Sequence, residues 1–398
     1  MIVKIISDTS IKKIIMKYIS LIICLFILLS CNSEKATKKI VVDEECDLSS
    51  VPYLYTQNII EDLNIVQLKT PKDVVVGNID KVFLYDSLLF LVCGQQERLF
   101  IFSKNGDYIN DLYRHGHSAN EYIHLWDAFV DEYNKTLNIY CRESSRLLSF
   151  DLYGRKLLKS VVMPKCFTEI SCLKDGFVCF MGNYIEDKKN PYNYWFIDRN
   201  LNIVNYCGVI DEKLDSHIMP DLHSLSLYKD RCNGTSLFCY DVYSFNSKEC
   251  ELKYQFDFGK YNIPDFSGED LMDNNKFNEL CRDYVGYFRY FQETNNYCYI
   301  VTNIKGLALM YVYDKKTGLT SCSCISDYID DVIINFGQIK GIDERHIYTA
   351  LDKHSLCFYY SGKDIDAKYQ EQVQNLRKKV GMLQPGDNPV VMIWSIKQ

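Results

Sequence analysis

The chain of 398 residues carries a formal net charge of −7, with 47% hydrophobic and 24% charged residues. Its 31 Tyr, 21 Phe and only 8 Pro exclude a disordered, collagenous or low-complexity chain. No basic stripe runs along it, which excludes nucleic-acid binding driven by phosphate neutralisation.

Lys12, Lys13 and Lys17 precede a mostly apolar run from Tyr18 to Ser30. A charged stretch followed by about a dozen apolar residues reads as an export signal, too short to cross a hydrocarbon core of about 30 Å. Leu28-Leu29-Ser30-Cys31 then places a small residue before a cysteine, the pattern of a bacterial lipobox. In that reading Cys31 is lipidated and becomes the mature N-terminus; a plain secretory signal is the alternative. Two or three acyl chains anchor firmly, because each buried CH₂ contributes about 0.8 kcal/mol. Residues 1–30 are therefore expected to be a lipoprotein signal peptide, with Met16 as an alternative start. The polar residues 31–52 are expected to be a flexible tether and 53–398 the folded domain. The expected location is the cell envelope, lipid-anchored to the outer membrane on its periplasmic or surface face.

From there a hairpin signature recurs: an apolar strand ending in an aromatic, polar turn residues often including Gly, then another strand. It reads Leu99-Phe-Ile-Phe102-Ser-Lys-Asn-Gly106, then Leu147-Leu-Ser-Phe150-Asp-Leu-Tyr-Gly154, then Tyr194-Trp-Phe196-Ile-Asp-Arg-Asn-Leu. Weaker copies follow at Phe245-Asn-Ser-Lys, Tyr313-Asp-Lys-Lys-Thr-Gly318 and Phe358-Tyr-Tyr360-Ser-Gly-Lys. From Phe102 through Phe150, Phe196, Phe245 and Tyr313 to Tyr360 the intervals are 48, 46, 49, 68 and 47 residues. Four short strands per unit of this length is the arithmetic of a propeller blade. The expected fold is all-β: a six-bladed β-propeller of four-stranded blades. The Asn-Gly and Tyr-Gly turns supply the positive φ of tight hairpins. The long interval holds Leu271, Phe277, Leu280 and Val285 partly at helical spacing, which predicts a helical excursion near 268–285. Ile365, Tyr369, Val373, Leu376 and Val380 predict a second helix near 364–380, capped by Asp364 and stopped by Gly381. The late strand Asp387 to Ile396 and the early one Leu63 to Leu68 are expected in one closing blade, which removes an exposed sheet edge.

The 17 Cys include no CxxC pair, and several sit in apolar runs such as Leu91-Val92-Cys93 and Phe177-Val178-Cys179-Phe180. There Cys acts as a small hydrophobe. Whether any of them form disulfides is left open by the spacing.

The Leu63–Leu68 strand, the first hairpin with the loop after it, and the ending Asn388-Pro-Val-Val together resemble the six-bladed β-propeller lipoproteins of Bacteroides and relatives, whose function is largely unknown. Members of that family often carry Gly-x-Gly-Pro-x-Glu-Tyr after the first hairpin. Here the place reads Gly116-His-Ser-Ala-Asn-Glu121-Tyr122, so Gly116, Glu121 and Tyr122 match while Ser118 and Ala119 replace the usual Gly-Pro. These three residues form the loop candidate, with Glu121 expected to accept backbone N–H bonds that shape the connection. His115, His117 and Glu121 have the residue types of a metal site, but solvated histidines around a structural loop are the preferred reading.

No nucleophile elbow, phosphate-binding Gly loop or HExxH motif is present, so no catalytic residue is assigned. Tyr192 and Tyr194 follow the polar hairpin tip Glu186 to Pro191 and are the candidate ligand contacts, against an inter-blade core role. The other aromatics weighed for sugar stacking are Trp126, Trp195, Trp394 and Tyr184. The expected function is a membrane-anchored binding or scaffold module for a glycan or an envelope protein, acting as a monomer without a cofactor. The alternative is a metal-dependent hydrolase or lyase, with Ca²⁺ or another metal held in the central channel by residues scattered along the chain.

Overall fold

A computed structural model describes residues 37–42, 59–218, 223–325, 339–351 and 388–398. It shows six sheets: five are built on four successive antiparallel strands, one of these extended by a fifth strand, and the sixth takes its outer strand from the start of the folded chain. Blade one comprises Lys81–Tyr85, Leu88–Cys93, Arg98–Ser103 and Tyr108–Leu112. Blade two runs from Asp127–Asp131 to Leu157–Val162, and blade three from Glu169–Leu173 to Ile203–Val209. Blade four runs from Leu225–Tyr228 to Cys250–Asp257, and blade five from Tyr290–Glu293 to Thr320–Cys324. Blade six takes Ile339–Ile342, His346–Leu351 and Val390–Ile396 from the C-terminal part and Ile60–Gln67 as its outer strand. The first strands of neighbouring blades contact one another and so line the axis.

The apolar runs follow from this arrangement. In a strand, successive side chains face opposite ways. A blade's middle strands are covered on both faces by neighbouring blades, so both sets of positions are mostly apolar; Arg231–Ser236 of blade four, with Asn233 and Thr235 buried, departs from this. Leu88, Phe90 and Val92 pack toward blade two, whereas Leu89, Leu91 and Cys93 pack toward blade six. In blade three Phe177 and Cys179 join the core shared with blade two, and Val178 and Phe180 the core shared with blade four. Six apolar clusters result, one at each blade interface. Gly106, Gly154 and Gly318 adopt the positive φ expected of the hairpin turns.

The closing blade forms as expected: Leu63 lies opposite Trp394 and Val66 opposite Val391. Its third strand is Val390–Ile396, so the sixth hairpin copy placed at Phe358 to Lys363 does not supply that strand; it lies outside the described residues. The excursion is helical, with α1 (Gly268–Met272) and α2 (Asn274–Asp283). Ser267 caps α1 in a reciprocal box with Asp270, and Leu271 and Leu280 turn into a small satellite core with Leu237 and Tyr287. Part of the expected tether is ordered: Lys38–Val41 adds a fifth strand at the outer edge of blade four, where Ile40 is buried. The helix expected near 364–380, the signal segment and Cys31 lie outside the described residues. Among the described residues no helix is long and apolar enough to cross a membrane.

Among the described residues one disulfide occurs, Cys207–Cys250, joining the outer strands of blades three and four. It closes a separation of 43 residues. Replacing both cysteines by serine is expected to lower unfolding free energy by about 2–4 kcal/mol, measured by urea titration, by releasing that constraint on the unfolded chain.

Candidate functional site

The loop after blade one is a structural joint. Tyr122 is fully buried; its hydroxyl accepts from Arg114 N at 3.1 Å and donates to Glu97 O at 2.7 Å. Gly116 N donates to Tyr122 O at 3.0 Å. The Glu121 carboxylate accepts from Ser118 N at 2.9 Å, which holds its pKa below the ordinary range. A Cβ at Gly116 would stand 2.2 Å from Glu121 Oε2, so only glycine lets the carboxylate fold back over the turn. Gly116→Ala is expected to swing Glu121 outward and lower the melting temperature by no more than about 2–4 °C, because the joint keeps its buried Tyr122 anchor. His115 and His117 are exposed, and His124 is bonded to Glu97 at 2.8 Å. Among the described residues no group of three His, Cys, Asp or Glu side chains stands ready to hold a metal ion.

Tyr194 is not a ligand contact. It is 1% exposed and lies in the core between blades three and four, against Phe180, Tyr243 and Phe245. Gly208 and Gly234 make room for its ring, since a Cβ at either would stand 2.5 Å from it. Tyr192, at the start of the same strand, is half-buried beside Tyr206, with ring centroids 4.4 Å apart. Neither Tyr192 nor the Gly116 loop lines the cavity at the inner ends of the blades.

That cavity, about 400 Å³, opens where the first strands of the blades begin and is walled by all six. Every blade contributes ionisable side chains to it, among them Lys81, Asp127, Glu169, His223, Arg289 and Lys340. They are separated by roughly a blade length in the chain, and no local motif announces them. The repeat phase was the signal available, because each stands at or within two residues of the start of an inner strand.

The wall is cross-braced between blades. Lys81 Nζ lies 2.7 Å from Asp127 Oδ1, linking blades one and two. Glu169 accepts from Ser224 N at 2.7 Å, linking blades three and four, and His223 N donates to Arg289 O at 3.1 Å. Trp126 Nε1 donates to Thr168 O at 2.6 Å, which holds the indole at the rim with 41% of the residue exposed. Burial, and then the charge of Asp127, pushes the Glu169 carboxyl up to about 8. Burial, and then the cations Lys81, Arg289 and Lys340, pushes His223 down to about 3, so its ring is neutral. Burial also lowers Lys340, against the attraction of Asp80. The Lys81 ammonium keeps a raised pKa because Asp127 and Glu169 outweigh its burial.

A family described as a domain of unknown function (DUF4934) matches residues 39–395. An exported-type protein of Bacteroides fragilis NCTC 9343 superposes with a TM-score of 0.70 at 18% identity, covering 91% of this chain and 100% of that one. A DUF4221 family member from Bacteroides vulgatus gives a TM-score of 0.47 at 9% identity, covering 85% and 97%. No curated protein matches by sequence. The resemblance to Bacteroides six-bladed propellers is borne out by the family match and the shared fold.

Proposed function

Because this chain belongs to the DUF4934 family and shares the propeller fold of a protein described as exported, we propose that it is an exported binding module that takes a glycan into the mouth of its channel. Lipidation at Cys31 holds it to the cell envelope in this reading, and it acts as a monomer. The observation that carries the proposal is the mouth itself: a walled cavity of ligand size, with polar groups from six blades and an anchored indole at its rim. The Arg142 guanidinium lies 5.0 Å from the indole centroid, and the aromatic surface left exposed beside convergent hydrogen-bonding groups suits a sugar ring, whose faces are apolar and whose edges carry hydroxyls.

The metal-dependent hydrolase or lyase has less support. The Lys81 ammonium already lies against Asp127 and beside Glu169, the place a bound cation would take. Thermal melts of the full-length protein against a panel of glycans, with Ca²⁺ and EDTA controls, test both. A glycan at about 100 times its Kd adds about 2.7 kcal/mol of stability and raises Tm. An EDTA-sensitive melt would favour the metal enzyme, and a flat response to every glycan would sink the glycan reading in favour of an envelope protein.

A further inference from the structure

We infer that the sugar this mouth accepts is an acidic one, with a carboxylate directed to Lys340 and Arg289 and a hydroxyl donated to Asp127. The inference rests on the glycan reading and sharpens it from three observations.

The first is charge. The whole chain is acidic at −7, yet the mouth sets the cations Lys81, Arg289 and Lys340 against the carboxylates Asp80 and Asp127. Burial raises the pKa of Glu169, which weakens its opposition to an anion, and Asp80 is engaged by Gly94 N at 2.8 Å and Asn78 Nδ2 at 3.0 Å. Lys81 is matched by Asp127. Lys340 has no hydrogen-bonded or ion-paired partner among the described residues, although it is half-buried in the wall. Asp80 attracts this half-enclosed ammonium without contacting it and is itself engaged elsewhere, so an incoming carboxylate restores what burial removed.

The second is an unfilled acceptor. Asp127 is 7% exposed; its Oδ1 takes Lys81 Nζ at 2.7 Å and Ala128 N at 2.8 Å, whereas its buried Oδ2 has no partner. Asp127 lines the cavity, and its covered, unpartnered oxygen calls for a donor that a sugar hydroxyl supplies once the carboxylate turns and a simple carboxylate ion lacks.

The third is the rim. Trp126 presents its indole at the edge of the same cavity that Asp127 lines, so a sugar ring resting on it lies within the cavity that holds the carboxylate and the cations. The neutral His223 stacks on Tyr290 at 4.5 Å and adds no further charge, leaving the anion to the two cations.

Isothermal titration of the full-length protein with glucuronate, galacturonate and N-acetylneuraminate, beside glucose, galactose and acetate, tests the inference. The expected result is an acidic sugar bound at least about tenfold more tightly than its neutral counterpart and than acetate. In Lys340→Gln that preference should fall toward unity with the melting temperature little changed, since among the described residues the lysine makes no hydrogen bond or ion pair to lose. Equal binding of neutral and acidic sugars would overturn the acidic inference and leave the glycan reading standing. Acetate bound as tightly as the uronates would overturn sugar recognition at this anion site. No binding by any sugar would overturn both.

Discussion

Trp394→Ala is expected to lower unfolding free energy by about 3–5 kcal/mol, the cost of removing a large buried aromatic together with the cavity it leaves. Trp394 is fully buried in the third strand of the closing blade. Leu63 of the early strand lies opposite it on one side and Ile347 on the other. Its Nε1 donates to Thr349 Oγ1 at 3.0 Å, and Thr349 is itself fully buried. Truncation therefore opens a void in the core shared by blades five and six and leaves a buried hydroxyl short of a donor. The same strand joins the two ends of the folded chain, so the loss falls on ring closure as a whole. Trp394→Phe keeps most of the volume and should cost markedly less. Urea titration of both variants measures the difference; a loss below about 1 kcal/mol in the alanine variant would mean that this strand does not close the ring.

The second large effect is a dependence on pH that Glu169→Gln removes. In the native wall Glu169 holds its proton up to about 8, whereas an unfolded glutamate releases it near its ordinary value of 4.5. Between these values the native state binds more protons than the unfolded state, so stability falls as pH rises from about 4.5 to 8. The slope approaches about 1.4 kcal/mol per pH unit where the difference is a full proton. Glutamine keeps the acceptor for Ser224 N without the buried charge, so the variant should be more stable than wild type at pH 8 and lack the slope. Melting curves from pH 5 to 9 check this; an unchanged slope in the variant would remove Glu169 as its cause. Below pH 4.5 the trend reverses through Glu293, whose carboxylate is buried but held low by Lys253 and Lys315 at 2.8 and 2.5 Å. Its contribution is present above the ordinary glutamate value and is lost as acid protonates it.

Most of the fold was legible because each blade repeats the same physical demand. Middle strands covered on both faces are mostly apolar, and the turns between third and outer strands need positive φ; both leave marks at a period near 47 residues. The mark was misread only in blade six, where the third strand is supplied by Val390–Ile396 and not by the aromatic run near Tyr360. The polar segment before residue 52 carried no apolar pattern strong enough to reveal that Lys38–Val41 extends blade four. The site was much less legible. Tyr194 and Tyr192 are two residues apart in one strand, but Tyr194 sits deep in the core between blades three and four while Tyr192, at the strand's start, packs half-buried against Trp195 on the blade two side. Six ionisable residues converge on the mouth from positions 42 to 66 residues apart between Lys81 and Lys340, and only the ring brings them together. Trp126 was visible as an aromatic, but its place at the rim depends on its bond to Thr168 in the next blade.

The claim that ligand enters the channel mouth is tested most directly by comparing Trp126→Ala with Tyr192→Ala for affinity toward the glycan that gives the largest thermal shift. Loss of an aromatic anchor from a binding site typically costs more than 1 kcal/mol and often 2 or more, roughly tenfold or beyond in affinity. The account predicts that loss for Trp126→Ala and near wild-type affinity for Tyr192→Ala. The opposite ranking would move the site to the rim of blade three and contradict it.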